Sequence, residues 1–292
     1  YMSENFRGAV LMMICMGAFV LNDAFVRLAG DSLPLAQILF FRGILTTIAL
    51  LLVAFYTGVF KLKVPRQDKW LIFFRSVTEA LTAYFFLTAV MNMPFANVTA
   101  ILQILPMTVT VAAAIVFKEK VGVIRISLIM LGFFGVILII NPAQDGFNKY
   151  AGYALISVLS ITTRDLLSRK LSVDVPTLIP TVSASLGVLL FSILLITKTA
   201  FQPLDLQNSF FILAAAFFII FGYYTAVLVM RSGEISFISP FRYTAVLFAL
   251  MLGFVFFDEQ PDGIAFLGMT IVIISGIALM IRNNSVQKSI LK

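Results

Sequence analysis

Ten apolar stretches of helical length, separated by short polar breaks, organise the chain. They cover about residues 8–28, 35–59, 70–91, 95–117, 121–140, 150–168, 176–197, 210–231, 236–257 and 263–281. A bilayer core takes roughly 20 apolar residues per helix, so each stretch predicts one crossing. The breaks carry turn chemistry: Gly30 to Pro34, the basic segment Lys61 to Lys69, Met93-Pro94, Asn141-Pro142, Gln202-Pro203, Ser232-Gly233 and Gln260 to Gly263. The first stretch is too long for a signal-peptide core and is read as a span that stays.

Polar positions repeat within this apolar background. Asp23, Arg27 and Pro34 follow D-x3-R-x6-P, and Asp165, Arg169 and Pro176 repeat that pattern 142 residues later (165 − 23). At an offset of 140, Tyr84 aligns with Tyr224, Phe117 with Phe257 and Glu119 with Glu259. Two units of five spans follow, residues 1–142 and 150–282, with residues 283–292 as a cytoplasmic tail. An odd number of spans makes the second unit enter the membrane from the opposite face. The expected fold is therefore an all-α integral membrane protein of ten transmembrane helices in two inverted five-helix repeats.

Loop charge gives the orientation, because cytoplasmic loops carry the excess of Lys and Arg. With the N-terminus inside, fifteen fall on the inner side: Arg7, Lys61, Lys63, Arg66, Lys69, Lys118, Lys120, Arg125, Arg164, Arg169, Lys170, Arg231, Arg282, Lys288 and Lys292. The outer side takes only Arg27, Lys149 and Lys198, so both termini are expected in the cytoplasm.

Composition narrows the chemistry. The 292 residues are 61% hydrophobic and 12% charged, against roughly 45–50% and 25% in soluble domains. The net charge of +7 is explained by membrane orientation rather than by nucleic acid. Histidine is absent and cysteine occurs once, as Cys15 inside the first span, which excludes an intrachain disulfide and His-based proton or metal chemistry. No metal and no cofactor are expected. A G-x4-G-K-[ST] loop for nucleotide hydrolysis does not occur, and no nucleophile stands beside a base, so the chain is not expected to be an enzyme.

A charge at the bilayer centre costs at least about 2.5–3.5 kcal/mol on insertion scales, so polar residues inside the spans are candidates for function. Arg75 and Glu79 stand at i, i+4 in span 3, where Glu79 would hold a cationic group of a substrate or take up a proton, or simply neutralise Arg75. Arg242 and Tyr243 follow Pro240 in span 9. That arginine either forks onto a substrate carboxylate or is structural. Arg42 in span 2 is its counterpart, and there the structural role is favoured. Asn22 either lines a cavity or bonds across helices. Gln103, with Asn97 and Pro106 near it, offers an amide and a kink at midplane depth, and Tyr84, Tyr223 and Tyr224 offer hydroxyls and ring faces. Asp23 with Arg27, and Asp165 with Arg169, form i, i+4 pairs whose first role is mutual neutralisation and whose second would be gating. Gly132, Gly135, Gly268 and Gly276 predict close packing of spans 5 and 10 away from the path.

Taken in order, Asn22-Asp23 and Arg27, Phe41-Arg42, Phe117-Lys118-Glu119-Lys120 with Gly132, Gly135 and Asn141-Pro142, and then Pro240 to Thr244 with Phe257-Asp258-Glu259 and Gly268, resemble the ten-span EamA family of the drug/metabolite transporter superfamily. The resemblance implies a central cavity that opens alternately to each side of a bacterial inner membrane and carries a small metabolite. It is most similar to bacterial S-adenosylmethionine and riboflavin carriers, with amino-acid and metabolite exporters as cousins. It implies a secondary carrier for a small polar, cationic or zwitterionic molecule, monomeric or homodimeric, driven by a proton or an exchange substrate. A passive channel is the alternative of a different class.

Overall fold

In the computed structural model, residues 4–61, 63–93, 98, 101–119, 121–140, 149–257 and 263–290 are described. Side chains of residues 136, 139, 140, 265 and 279–290 are excluded from that description. Asn97, Lys120, Asn141-Pro142 and Asp258-Glu259, all singled out in the sequence, lie outside it, as do the side chains of Arg282 and Lys288 and the whole of Lys292.

The described residues form helices and connecting turns without strands. The order is α1 (Glu4–Gly30), α2 (Leu35–Tyr56), α3 (Arg66–Asn92), α4 (Leu105–Phe117), α5 (Val123–Ile140), α6 (Tyr150–Lys170), α7 (Leu178–Ile196), α8 (Leu206–Met230), α9 (Ile235–Ile238), α10 (Thr244–Phe257) and α11 (Gly263–Ile290). Local chemistry sets their ends. Pro34 and Pro65 sit one residue ahead of α2 and α3. Asp205 caps α8, accepting from the Asn208 backbone N–H at 2.7 Å. Lys118 stops α4 in the left-handed region at φ 55°. Between α9 and α10 the chain makes a 3-10 turn, Ser239–Tyr243, at Pro240. The last helix continues through Ile290, so residues 283–290 are helical.

Among the described residues, six segments are long and apolar enough to cross a bilayer: α1, α2, α3, α7, α8 and the stretch Ile235–Phe256. Shorter apolar helices lie at Leu105–Phe117, Val123–Gly135 and Phe266–Ala278. The burial pattern is inverted relative to a soluble protein. Ile115, Leu190 and Phe254 point outward, whereas Arg75, Glu79, Arg164, Asp165 and Arg242 are buried. Apolar side chains meeting lipid and charges held within the bundle are what a hydrocarbon solvent selects.

Helix pairing follows one scheme. α1 packs on α8 and α6 on α3; α3 packs on α7 and α8 on α2; α1 packs on α10 and α6 on α4; α2 pairs with α7 and α5 with α11. Exchanging each of α1 to α5 for its counterpart among α6, α7, α8, α9/α10 and α11 leaves that scheme unchanged. At the α5/α11 contact a Cβ on Gly135 would stand 2.9 Å from the Gly268 carbonyl oxygen, so only glycine permits the approach. None of the described side chains of these two helices lines the central cavity described below. Gly135→Leu is expected to lower the thermal midpoint of the solubilised protein by roughly 3–10 °C. A melt equal to that of the parent would mean the pair tolerates separation.

Candidate functional site

Helix α6 falls short of the hydropathy of a lone span because it carries a polar stripe. Ser157, Ser160, Arg164, Asp165 and Ser168 recur at helical spacing and are all buried. That stripe faces α3, α4 and α8 rather than lipid, which is how so polar a helix is held inside the bundle.

Arg164 is the centre of a buried charge ladder. Its Nη1 donates to Glu79 Oε1 at 3.1 Å, and its Nε and Nη2 donate to Asp165 Oδ1 at 3.0 and 2.9 Å. Asp165 Oδ2 accepts from Arg242 Nη2. On the far side Arg75 Nη2 stands 3.6 Å from Glu79 Oε2, a charge contact longer than a hydrogen bond. Arg75 is otherwise tied down, its Nε donating to Ser168 Oγ at 2.8 Å and its Nη1 to the Pro180 carbonyl at 3.1 Å. The order Arg75, Glu79, Arg164, Asp165, Arg242 alternates in sign and joins α3, α6 and the 3-10 turn. Each charge is thereby repaid by a neighbour, without which burial at 0–5% exposure would cost several kcal/mol per ion. The Arg164 guanidinium also lies 5.7 Å from the Phe19 ring centroid, within cation–π range.

A second polar chain joins α1 to α2. Arg42 Nη1 donates to Asn22 Oδ1 at 2.7 Å and Asn22 Nδ2 to Asp23 Oδ1 at 2.8 Å. Between the two chains lies a cavity of about 110 Å³ whose wall includes Asn22, Asp23, Arg42, Glu79, Thr82, Arg164, Tyr223 and Arg242. The rest of the wall is apolar, from Met16, Phe19, Phe86, Leu102 and Ile161 among others.

Of the residues expected to meet a substrate, Asn22, Arg42, Glu79, Tyr223 and Arg242 line this cavity. The others stand elsewhere. Arg75 lies behind Glu79 and acts on it. Tyr84 packs among Phe85, Tyr153 and Phe191, and Gln103 is buried off the wall. Tyr224 is 40% exposed, because it follows Tyr223 by one residue and so turns about 100° round the helix. Tyr243 packs its ring on Gly132 and donates its hydroxyl to the Ile129 carbonyl at 2.9 Å, a strut between α5 and the turn. The Asp165–Arg169 pair is replaced: Asp165 bonds Arg164 and Arg242, while Arg169 reaches Glu119 at 3.9 Å. Asp23 lies on the cavity wall, where it accepts from Asn22 and so joins the Arg42 chain.

Arg164, one of the fifteen inner-side cations of the charge count, is buried on the cavity wall and so carries no information about loop charge. The signal was present in the serine stripe, which puts Arg164 on the same face as Ser157, Ser160 and Ser168.

Two sets of contacts close the bundle at opposite ends. At the N-terminal end Glu119 accepts from the backbone N–H groups of Ile235 and Ser236 at 3.3 and 3.2 Å, Arg125 pairs with Glu234, and Asn5 Oδ1 accepts from the Glu234 N–H at 2.8 Å. At the other end the bonds are neutral: Gln37 and the Gln202 backbone exchange two, at 2.8 and 2.9 Å, and Asn208 donates to Ser32 Oγ at 2.9 Å.

A multi-pass helical bundle that encloses a charge-lined cavity has the build of a membrane transporter. The EamA-like transporter family matches residues 6–141 and again residues 148–282, so two copies of one unit together cover nearly all of the chain, and the chain belongs to that family, within the drug/metabolite transporter superfamily. Its relatives are transporters of the same type. The pseudopaline exporter CntI of Pseudomonas aeruginosa is 22% identical over 280 residues, 93% of this chain and 95% of the relative. The S-adenosylmethionine uptake transporter of Rickettsia prowazekii is 23% identical over 268 residues, 87% of this chain and 85% of the relative. A riboflavin transporter of Vibrio cholerae matches at 23% over 176 residues, 60% of this chain and 59% of its own. A solved crystal structure superposes with a TM-score of 0.78 at 16% identity, over 93% of this chain and 98% of its own, which establishes likeness of fold.

Proposed function

We propose that this protein is a secondary carrier of a small polar metabolite, working by alternating access in a bacterial inner membrane. The observation that carries the reading is the origin of the charges on the cavity wall. Asp23, Arg42 and Glu79 come from the first half of the chain, and Arg164 and Arg242 from the second. A ligand bound there would join the two halves, and their relative motion would release it to either side. The two family matches and the exchangeable helix pairing support two inverted five-helix repeats as the moving parts. With Arg164 removed from the loop count, fourteen cations against three still favour both termini in the cytoplasm.

The mixed charge of the wall suits a zwitterionic or cationic metabolite. Of the substrates named for relatives, S-adenosylmethionine, with sulfonium, amino and carboxylate groups, matches it better than uncharged riboflavin does. Uptake and export both occur among the relatives, so direction is left open. A cavity of about 110 Å³ is smaller than the roughly 300–1,000 Å³ typical of ligand pockets, so loading requires the helices to part. A coupling proton or an exchanged substrate would supply the energy. The deciding experiment is counterflow in liposomes. Saturable exchange of labelled for unlabelled substrate is expected, and unsaturable conductance would instead establish a channel.

Alternating access also predicts that the Glu119 contacts act as a latch. They hold the N-terminus of α9 against the first half, where the exposed backbone N–H groups favour a carboxylate. A cysteine replacing Ala245, on the cavity wall, in a Cys15→Ala background should react with a membrane-impermeant thiol reagent added from the N-terminal face. Glu119→Gln is expected to raise that rate by roughly fivefold or more, because loss of a charge-assisted bond shifts the population toward the open form. An unchanged rate would make the contact a static cap.

A further inference from the structure

The outward face of α3 near its N-terminus is built in layers. Arg66, Lys69, Trp70, Phe73, Phe74 and Val77 recur at three- and four-residue spacing, and all six are exposed. Asp68, Ile72, Arg75, Ser76 and Glu79, on the other side of the same turns, are buried. From the helix start onward the outer stripe passes from two cations to an indole, then to two phenyl rings, then to an aliphatic side chain. The rings touch one another: Trp70 stacks on Phe74 with centroids 6.1 Å apart, meets Phe73 edge-on at 6.1 Å, and Phe73 meets Phe74 at 5.5 Å.

Charge on this surface is one-sided. Lys61 and Lys63, in the segment leading into α3, join Arg66 and Lys69, and all four are exposed. The acid among them, Asp68, is turned inward, its Oδ1 accepting from the Ser172 backbone N–H at 3.1 Å. Asp174, on the loop that Asp68 holds, is exposed, but among the described residues none of the four cations forms an ion pair. Residues 57–77 thus present four positive charges and no exposed carboxylate. Each Lys or Arg beside a membrane surface raises the preference for anionic lipid by roughly fivefold. The dimensions agree. At about 1.5 Å per residue, Arg66 to Val77 covers about 16 Å along the helix, most of the roughly 20 Å of one leaflet with its headgroups. Cations at phosphate level, an indole N–H at the interface and rings below it follow the order of groups along a phospholipid.

We infer that this face of α3 holds an anionic phospholipid, with its phosphate between Arg66 and Lys69, its ester region at the Trp70 indole N–H and an acyl chain along Phe73, Phe74 and Val77. The inference is independent of the carrier reading and of which way the bundle faces, since a vesicle offers the lipid in both leaflets. It is also narrower than a general excess of inner cations. One helix face is the site, so neutralising a cation elsewhere leaves it intact.

Trp70 is the single tryptophan of the chain, so its fluorescence reports the occupant directly. The test places the purified full-length protein in phosphatidylcholine vesicles with a rising fraction of either phosphatidylglycerol or phosphatidylcholine carrying brominated acyl chains, which quench an indole on contact. Brominated phosphatidylglycerol is expected to quench at a mole fraction lower by roughly fivefold or more. Arg66→Gln combined with Lys69→Gln should bring the two lipids to within about twofold of each other. Lys118→Gln, an exposed cation at the end of α4, should leave the preference as in the parent. If the double variant folds poorly, the lipid pair and Lys118→Gln still decide. Equal quenching by the two lipids overturns the inference, as does a preference that survives the double variant or falls as far with Lys118→Gln. Inorganic phosphate at constant ionic strength should not displace the lipid; displacement would assign the cations to soluble phosphate and overturn the inference too. Counterflow in the same vesicles separates this from the carrier reading: absence of exchange defeats the carrier and leaves the lipid site, whereas equal quenching leaves the carrier.

Discussion

Asp165→Asn is expected to abolish transport and to lower the melting midpoint by about 5–15 °C. The carboxylate sits between Arg164 and Arg242, accepting from the first through Oδ1 at 2.9–3.0 Å and from the second through Oδ2. An asparagine preserves the volume but offers one acceptor in place of two and presents an amide N–H to one of the arginines. Breaking a buried ion pair from one side costs about 3–5 kcal/mol, since the charge left behind has no solvent to turn to. At a few degrees per kcal/mol for a chain of this size, the predicted shift follows. Removing the opposite charge as well should reverse the stability loss. The double variant Asp165→Asn, Arg242→Gln is therefore expected to melt closer to the parent than Asp165→Asn alone, while transport stays lost because Arg242 is gone. If Asp165→Asn melts like the parent, the ladder does not support the fold and the central geometry is wrong.

The extent to which this arrangement was legible in the sequence depends on the range of the signal. Span-length apolar runs are local, and the described helices overlap them, although the run at 236–257 is broken by the 3-10 turn at Pro240. Glycines at 132, 135 and 268 announced a close helix contact, and α5 with α11 supplies it. Charges inside apolar runs were equally visible, which is why Glu79, Arg42 and Arg242 could be named. Of their partners, only Arg75, one turn before Glu79 on the same helix, is visible in the same way. An i, i+4 spacing shows which groups can meet on one helix, and it favoured Asp165 with Arg169, whereas the structure pairs Asp165 across 77 residues with Arg242. Arg164 falls among the inner-side cations because it stands near the end of its span, close to Arg169 and Lys170. Only the serine stripe on its own helix face, Ser157 to Ser168, distinguishes a residue turned inward from one reaching for the interface. Tyr223 and Tyr224 make the same point: adjacent in sequence and identical in type, they diverge by the angle of one helical step.

Glu79→Gln is the sharper test of function, because its expected effects on binding and on folding differ in size. Glutamine retains an oxygen for Arg164 Nη1, and Arg164 keeps its two bonds to Asp165, so the loss of stability should be smaller than for Asp165→Asn. It will not be nil. Arg75 loses the carboxylate it pairs with, and the guanidinium groups of Arg42, Arg75, Arg164 and Arg242 then face two carboxylates, Asp23 and Asp165, instead of three. Binding should suffer more. If the Glu79 carboxylate receives an ammonium group of the substrate, neutralising it removes a charge-assisted bond in a low-dielectric cavity, a loss of roughly 10- to 100-fold in affinity and of transport with it. The control is on the ligand. For the amino acid that most stabilises the parent protein, the matching 2-hydroxy acid lacks the ammonium, so the variant should bind it about as well as the parent does while losing affinity for the amino acid. Equal losses for both ligands would place the role of Glu79 in holding Arg75 and Arg164, and the ammonium would have to be met elsewhere on the wall, with Asp23 the remaining carboxylate there.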